Sequence, residues 1–355
     1  MEVRKMIKIT PSNISDFLFC PYKYWLSKQK PRIVTSKSPE AVLGIALHDI
    51  IHRFLYQILN DNKRMKNVRK KRAEEGKPTE YYYQTVDKFL SFCAGFLIES
   101  FQGKNSNSTR VRDKNPIRWP KKATGKEIAE LKERFFLLGL WMAKKYYLAN
   151  QGKPGPFLRE KLLRCSLSKE ISSGVELVGK LDQARRTSDG KIFIADIKTG
   201  FDPFERNLNE SGTIATIPLV RLYIDYQLSA YWLLYKKYYS ELPHKIGFYY
   251  LKTDRCYFTS RTPSQIEELF NMIRWILQAG ETENFPPVGM YYNRCRYCDY
   301  QNQCKHYKKI EIVQPITAED IEISLPSAKI LTEGLSKELK QIDYKQHRLK
   351  LIKHK

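Results

Sequence analysis

The stretch from Val175 to Gly200 constrains the fold of this chain more than any other, because two apolar runs flank a turn within it. The first run leads into Asp182, and the second run contains Asp196 and Lys198. Between the runs, the residues from Thr187 to Gly190 have the composition of a tight turn. The pattern predicts a β-hairpin with one aspartate on each arm.

The charged side chains of this hairpin have a spacing that suits metal chemistry. Asp196 and Lys198 are two positions apart, so in a strand both project from one face while Ile197 faces the core. Hairpin pairing can bring Asp182 alongside Asp196, and two carboxylates beside an ammonium group suit a divalent metal and an activated water. Charged residues near strand ends are usually solvated. Asp196, however, lies in the apolar run IFIADI, where a buried carboxylate needs a partner or a metal.

Composition limits the class of protein. With 355 residues, of which 42% are hydrophobic and 13% aromatic, the chain is long enough for one large or two ordinary globular domains. The net charge of +24 and the pI of about 9.6 indicate a polyanionic partner, most often nucleic acid. No apolar run is long enough to cross a bilayer, and the N-terminus lacks an apolar signal core. We therefore expect a cytoplasmic protein with no membrane partner.

A helix predicted over residues 41–59 carries a glycine and a histidine on one face. Gly44 and His48 are four positions apart, and the glycine allows another backbone to approach closely. The sequence from His48 to His52 also resembles the HExxH motif of zinc peptidases. Here Asp49 replaces the glutamate and no third ligand follows nearby, so a zinc peptidase is disfavoured.

Two further elements carry polar residues of interest. Residues 157–167 have the pattern of a strand that bears Glu160. Residues 223–239 have the pattern of a helix, on which Gln227 and Tyr231 lie four positions apart and share a face. The aromatic content of this helix is also consistent with Tyr231 belonging simply to a core stripe.

The cysteines divide into two groups. Cys295, Cys298 and Cys304 form a C-x2-C-x5-C pattern, which is strong evidence for a metal but needs one more ligand. Cys20 can supply that ligand from 275 residues upstream (295 − 20). Four thiolates can hold a zinc ion or a [4Fe–4S] cluster, and His306 is an alternative fourth ligand for zinc. The remaining cysteines, in apolar sequence, are expected to be small buried hydrophobic residues: Cys93, Cys165 and Cys256.

Taken together, these motifs resemble the RecB-type branch of the PD-(D/E)XK nuclease superfamily. The resemblance is nearest to its iron–sulfur exonucleases, which include the CRISPR-associated adaptation nuclease and AddB-like recombination enzymes. The matching segments follow the family's order: FCPYKYWL at 19–26, Gly44-x3-His48, GKLD at 179–182, DIKTG at 196–200, Gln227-x3-Tyr231 and the three late cysteines.

The resemblance implies a set of metal ligands. His48, Asp182, Asp196 and the backbone carbonyl of Ile197 would bind Mg²⁺ or Mn²⁺. Glu160 stands where relatives often have an acidic residue.

The resemblance also implies roles for the neighbouring residues. Lys198 would position or deprotonate the attacking water and stabilise negative charge at the scissile phosphate. Gln227 and Tyr231 would steady Lys198 and contact the strand. A [4Fe–4S] cluster joining the two ends of the chain would be held by Cys20, Cys295, Cys298 and Cys304.

The fold implied is α/β, with a restriction-endonuclease-like core of αβββαβ type and a mixed sheet. A helical insertion and a C-terminal iron–sulfur cap would be added to this core. The expected segments are N-terminal helices (1–56), the helical insertion (57–157), the nuclease core (158–284), the cysteine-rich segment (285–311) and a basic C-terminal extension (312–355).

The activity implied is metal-dependent cleavage of DNA by an exonuclease that acts on single-stranded ends. It would serve recombination, repair or CRISPR adaptation, with protein partners in such a complex. The alternative is a catalytically weak DNA-binding or scaffold protein on the same fold. The presence of Asp182, Asp196 and Lys198 together favours the enzyme.

Overall fold

The computed structural model of the chain describes residues 6–31, 33, 35, 37–53, 74, 86–102, 117–120, 123–150, 156–200, 202, 216–292, 294–307, 328–335 and 339. The chain divides into two compact units. The sheet unit comprises residues 1–35, 157–198 and 202–315, and the helical unit comprises residues 36–156, 199–201 and 316–355.

The elements follow one another in this order: β1 (Ile7–Ile9), α1 (Pro11–Phe19), α2 (Pro21–Lys28), α3 (39–53), α4 (Val86–Phe101), α5 (Gly125–Asn150), β2 (Leu158–Ser166), β3 (Val175–Arg186), β4 (Ile192–Lys198), α6 (Thr216–Ile224), α7 (Tyr226–Tyr239), β5 (Lys245–Tyr250), β6 (Arg255–Thr259), α8 (Pro263–Glu281), two 3-10 turns (Val288–Tyr292 and Arg294–Tyr297) and α9 (Ala328–Gly334).

The sheet unit is built on a mixed six-stranded sheet with β3 as its longest strand. β2 pairs antiparallel along most of one edge of β3. The opposite edge is shared by β1, which pairs parallel with the start of β3, and β4, which pairs antiparallel with its end. β4 then pairs parallel with β5, and β5 pairs antiparallel with β6. The prediction of a mixed α/β fold with a mixed sheet is confirmed.

The turn between β3 and β4 has the predicted composition and geometry. The amide of Thr187 donates to the carbonyl of Lys191 at 3.0 Å, and that of Gly190 donates back to Thr187 at 3.0 Å. Gly190 has a φ of +80°, a conformation that glycine adopts without steric cost. The local sequence therefore fixes the register that sets Asp182 and Asp196 on neighbouring strands.

The N-terminal segment begins with two short helices, α1 and α2, that follow each other directly. Thr10 caps α1 and forms a reciprocal capping box with Asn13. The backbone becomes extended at Cys20, with φ −169° and ψ 118°, and Pro21 begins α2. The break follows from the proline, which disfavours a helical conformation in the residue before it.

The predicted helix over residues 223–239 is also divided. α6 ends at Ile224, and Asp225 caps α7 by accepting a hydrogen bond from the amide of Leu228 at 3.1 Å. Burial of Arg261 secures this junction, because its guanidinium donates to the carbonyls of Leu222 and Asp225 at 3.1 and 3.0 Å.

The helical unit contains α3, α4, α5 and α9. α4 and α5 pack against each other through aromatic residues such as Phe89 and Tyr147, whose rings stack at 5.1 Å. α9 packs on α5, and Lys144 of α5 donates to the last carbonyl of α9, that of Gly334, at 2.9 Å. At least this part of the C-terminal extension is therefore folded into the unit.

Some predicted segments lie outside the described residues. They include residues 54–59 of the helix predicted over 41–59, residues 60–73, 75–85 and 103–116 of the helical insertion, and most of the basic C-terminal extension. None of the described helices is both long enough and apolar enough to span a bilayer.

Candidate active site and cysteine cavity

The two aspartates of the hairpin are both buried and meet at the end of β4. Asp182 is 8% exposed and Asp196 is 4% exposed. The amide of Ile197 donates to Oδ2 of Asp182 at 2.8 Å, which ties the Asp182 carboxylate to the backbone beside Asp196. Ile197 itself is buried, and Lys198 returns to the face of Asp196, as strand alternation predicts.

Lys198 is held by three groups. Its Nζ lies 2.7 Å from Oδ2 of Asp196 and donates to Oε1 of Gln227 at 2.7 Å. The ammonium also lies 4.8 Å from the ring centre of Phe248 on β5. Burial by itself lowers the pKa of Lys198, but the charge and hydrogen bond of Asp196, together with the charges of Asp225 and Asp182, outweigh this effect, and the pKa is raised overall.

Gln227 links Lys198, Asp196 and Tyr231. Its Nε2 donates to Oδ1 of Asp196 at 3.0 Å and to the hydroxyl of Tyr231 at 3.1 Å. Close packing of α7 on β3 makes this possible, because Gly179 has no side chain there. A Cβ at Gly179 would lie 2.5 Å from Leu234 and 3.2 Å from the ring of Tyr231.

Glu160 adds a third carboxylate from β2. One of its oxygens lies within 4.8 Å of a carboxylate oxygen of Asp182. The Glu160 side chain is 6% exposed and forms an ion pair with Lys180. Its backbone has a φ of 45°, which is unusual for a non-glycine residue inside a strand and costs conformational energy.

Lys180 is a site residue that sequence reasoning missed. The signal was present, because Lys180 and Asp182 are two positions apart on β3 and so share a face. The strained backbone of Glu160 had no comparable signal in the sequence.

His48 lies on α3 in the helical unit. One turn earlier on this helix, a Cβ at Gly44 would lie 2.9 Å from Oγ1 of Thr199, the residue that follows Lys198. Gly44 therefore provides room for the side chain of Thr199, whereas the sequence suggested the approach of a backbone.

The four cysteines of the predicted metal site line one cavity of the sheet unit: Cys20, Cys295, Cys298 and Cys304. His306 also lines it. Gly289 forms part of the wall, where a Cβ would lie 3.2 Å from the Cβ of Cys20. All seven cysteines of the chain are free of disulfide bonds.

The environment of the thiols supports their proximity. Burial raises the pKa of Cys295, and the neighbouring Cys20 and Cys304 raise it further. Burial raises the pKa of Cys298 to about 12. Of the other cysteines, Cys93 and Cys165 are buried as expected, but the expectation for Cys256 is wrong because it is exposed on β6 at the sheet edge.

One family model matches most of the chain. The model of the PD-(D/E)XK nuclease superfamily matches residues 8–305. A search of curated proteins gives no match. Among solved structures, the crystal structure of a "Putative exonuclease" from Eubacterium rectale is similar at 10% identity and a TM-score of 0.35, covering 88% of this chain and 92% of its own.

The family match spans the sheet, the carboxylate cluster and the cysteine-rich turns. It covers far more than half of the chain. The chain therefore belongs to the PD-(D/E)XK nuclease superfamily.

Proposed function

We propose that this nuclease hydrolyses phosphodiester bonds in DNA with the help of a divalent metal ion, as an exonuclease acting on single-stranded ends. The observation that carries the proposal is the buried network in which Lys198 and Gln227 bind Asp196 beside the carboxylate of Asp182. Burying charged groups at a strand end costs desolvation free energy. Groups of this kind therefore cluster at functional sites, such as sites that bind a metal ion.

The donor set fits Mg²⁺ or Mn²⁺. Asp182, Asp196 and Glu160 offer carboxylate oxygens, the ligands that these ions prefer. Three carboxylates face the two lysines Lys180 and Lys198, so the cluster has excess negative charge for a cation to balance. The resemblance to RecB-type nucleases adds His48 and the carbonyl of Ile197 as further ligands. When bound, a divalent ion supplies charge neutralisation at the phosphate and lowers the pKa of water.

The remaining residues act on the substrate and on each other. Lys198 provides a fixed positive charge for the scissile phosphate, because Asp196 and Gln227 restrain its ammonium group. Tyr231 orients Gln227 through its hydroxyl, and the resemblance adds a contact between Tyr231 and the DNA strand. DNA as the substrate is supported by the family and by the net charge of +24.

The test is cleavage of end-labelled single-stranded DNA by purified protein with Mn²⁺ or Mg²⁺. We expect Asp196→Ala and Lys198→Ala to lower the rate by at least about 10²–10³-fold, while DNA affinity is kept. The matched control is Asp189→Ala, which removes an exposed aspartate from the turn of the same hairpin. Full activity in either site variant would exclude this site, and wild-type binding without cleavage would favour a DNA-binding scaffold.

We further propose that the four cysteines of the cavity hold a [4Fe–4S] cluster, as in the iron–sulfur nucleases of the RecB-type branch. The observation behind this proposal is that Cys20, Cys295, Cys298 and Cys304 line one cavity, although they come from distant parts of the chain. Four thiolates can also hold a zinc ion, so the identity of the group rests on the resemblance. The resemblance to the RecB-type branch supports a role in recombination, repair or CRISPR adaptation, with protein partners in such a complex.

The cluster is tested by metal content after anaerobic purification. We expect a brown protein with absorbance near about 400 nm that Cys298→Ala loses. Cys256→Ala, which changes an exposed cysteine outside the cavity, should keep the colour and the iron. A colourless protein with stoichiometric zinc would contradict the iron assignment.

A further inference from the structure

Two tyrosines beside the cysteine cavity are unusually exposed. Tyr291 is 80% exposed, the highest value among the large hydrophobic residues that the structure describes, and Tyr297 is 57% exposed. They lie on the two 3-10 turns that contact each other and surround Cys295. Exposed aromatic rings on adjoining short turns lose the free energy of burial, which indicates a surface that something else covers.

Cations accompany the aromatic rings of this surface. The guanidinium of Arg296 lies 5.2 Å from the ring centre of Tyr297. On the neighbouring helix α2, Tyr22 stacks on Trp25 at 5.1 Å with an angle of 22° between the rings. The ammonium of Lys305 lies 5.9 Å from the ring centre of Tyr22. Two of the rings, those of Tyr22 and Tyr297, therefore each have a cation within about 6 Å of the ring centre.

A surface with aromatic rings and adjacent cations suits a DNA strand with unpaired bases better than a protein partner. Bases stack on aromatic faces whatever their sequence, and nearby cations neutralise the phosphates between them. The centre of a protein interface is depleted of lysine, whereas here Lys305 lies 5.9 Å from the ring centre of Tyr22 and the chain has a net charge of +24. Duplex DNA also fits poorly, because its bases are already stacked on one another.

We propose that Tyr291, Tyr297, Arg296, Tyr22 and Lys305 form a subsite for single-stranded DNA, separate from the carboxylate cluster. This surface is termed the tyrosine platform. Its role is to hold a strand whose end the active site cleaves. The proposal rests on the proposed function because it takes DNA as the substrate. It concerns binding, which can be measured without cleavage.

The test measures binding of labelled oligothymidine in EDTA, where no metal-dependent cleavage occurs. We expect Tyr291→Ala with Tyr297→Ala to weaken binding about a hundredfold, at about tenfold for each lost stacking face. Replacing both tyrosines by phenylalanine keeps the rings and should leave the affinity within about twofold. Tyr238→Ala is the matched control, because Tyr238 is 49% exposed and has Lys161 over its ring, yet lies at the far end of α7 from Gln227.

Several results would overturn the platform. The first is a double alanine variant that binds single-stranded DNA as tightly as the wild type. The second is a double phenylalanine variant that loses as much affinity as the double alanine variant. The third is a double alanine variant that loses as much affinity for blunt duplex DNA as for single-stranded DNA. A changed oligomeric state with unchanged DNA affinity would show that the surface binds protein. Unaltered unfolding and iron content in the double variant exclude a folding defect. If wild-type protein cleaves DNA while these results appear, the platform fails and the proposed function stands.

Discussion

Gln227 joins the two charged residues of β4 through a single amide group. Its oxygen accepts from Lys198 and its nitrogen donates to Asp196, so both ends of the amide are used. A glutamate could accept but could not donate to Asp196, and an alanine could do neither. The residue therefore acts by positioning the lysine and the aspartate.

We predict that Gln227→Ala lowers kcat roughly 10- to 100-fold, the usual cost of losing a group that orients a metal ligand. The KM for DNA should change little, because the residue restrains other side chains. Steady-state kinetics on single-stranded DNA measure both values. Gln278→Ala, an exposed glutamine on α8, is the control. Equal kinetics in the two variants would show that the amide plays no part.

Gly247 is the residue of β5 that allows β6 to pair closely. A Cβ there would lie 1.9 Å from the carbonyl oxygen of Tyr257, a backbone atom that cannot move without disturbing the pairing. Gly280 on α8 has nothing within 4 Å of its Cβ position. The same substitution therefore has opposite consequences at the two sites.

We predict that Gly247→Ala lowers the free energy of unfolding by at least about 3 kcal/mol, since overpacking against backbone has no cheap relaxation. Gly280→Ala should raise it by up to about 1 kcal/mol, because alanine favours a helix. Urea denaturation monitored by circular dichroism measures both. A stable Gly247→Ala protein would mean that β5 and β6 are spaced differently.

The arrangement of some site residues could be predicted from their neighbours in the sequence, and that of others could not. Strand alternation is a property of a few consecutive residues, so the shared face of Asp196 and Lys198 could be inferred from sequence. The left-handed backbone of Glu160 occurs together with its ion pair to Lys180 and its proximity to Asp182 on the adjacent strand. No pattern within β2 alone encodes it, and only the assembled sheet reveals it.

At the scale of elements, α9 shows how a segment that sequence left unassigned is used. Leu331 and Leu335 are fully buried in the helical unit, while Ile330 is 56% exposed. Gly334 lets the end of α9 approach Trp141 on α5, where a Cβ would lie 3.1 Å from the indole nitrogen. Seven helical residues were too few for periodicity to predict the packing.

We predict that Leu331→Ala lowers the free energy of unfolding of the helical unit by about 2–4 kcal/mol through cavity formation. Ile330→Ala, its exposed neighbour, should change it by less than about 0.5 kcal/mol. Thermal unfolding of the full chain measures both. Similar values for the two variants would contradict the packing of α9 on α5.

For the whole molecule, the composition alone predicted a polyanionic partner, because of the large positive charge. A net charge of +24 attracts polyanions over distances longer than any contact. We predict that the affinity for single-stranded DNA falls linearly on a logarithmic plot against salt, by roughly 10³-fold or more between about 50 and 200 mM. Fluorescence anisotropy in EDTA measures it. An affinity that does not respond to salt would show that the charge serves solubility only.

The sequence suggested a helical insertion, but the membership of short segments in one unit or the other was not predictable, because it depends on contacts between distant parts of the chain. Residues 199–201 belong to the helical unit although they directly follow β4 of the sheet unit. No local feature of the DIKTG motif indicates such a change. The family match, which spans residues 8–305, likewise follows the chain and not the units.

Cysteines that are far apart in the sequence line the cysteine cavity, so they are synthesised at different times. Cys20 emerges from the ribosome 275 residues before Cys295 (295 − 20). At about 5–20 residues per second, that interval lasts roughly 15–55 s. During that interval the thiol of Cys20 is present without the other three cysteines of the cavity. Any inorganic group that needs all four sulfurs can be inserted only after translation has passed residue 304, so maturation is a late event that prematurely terminated chains never reach.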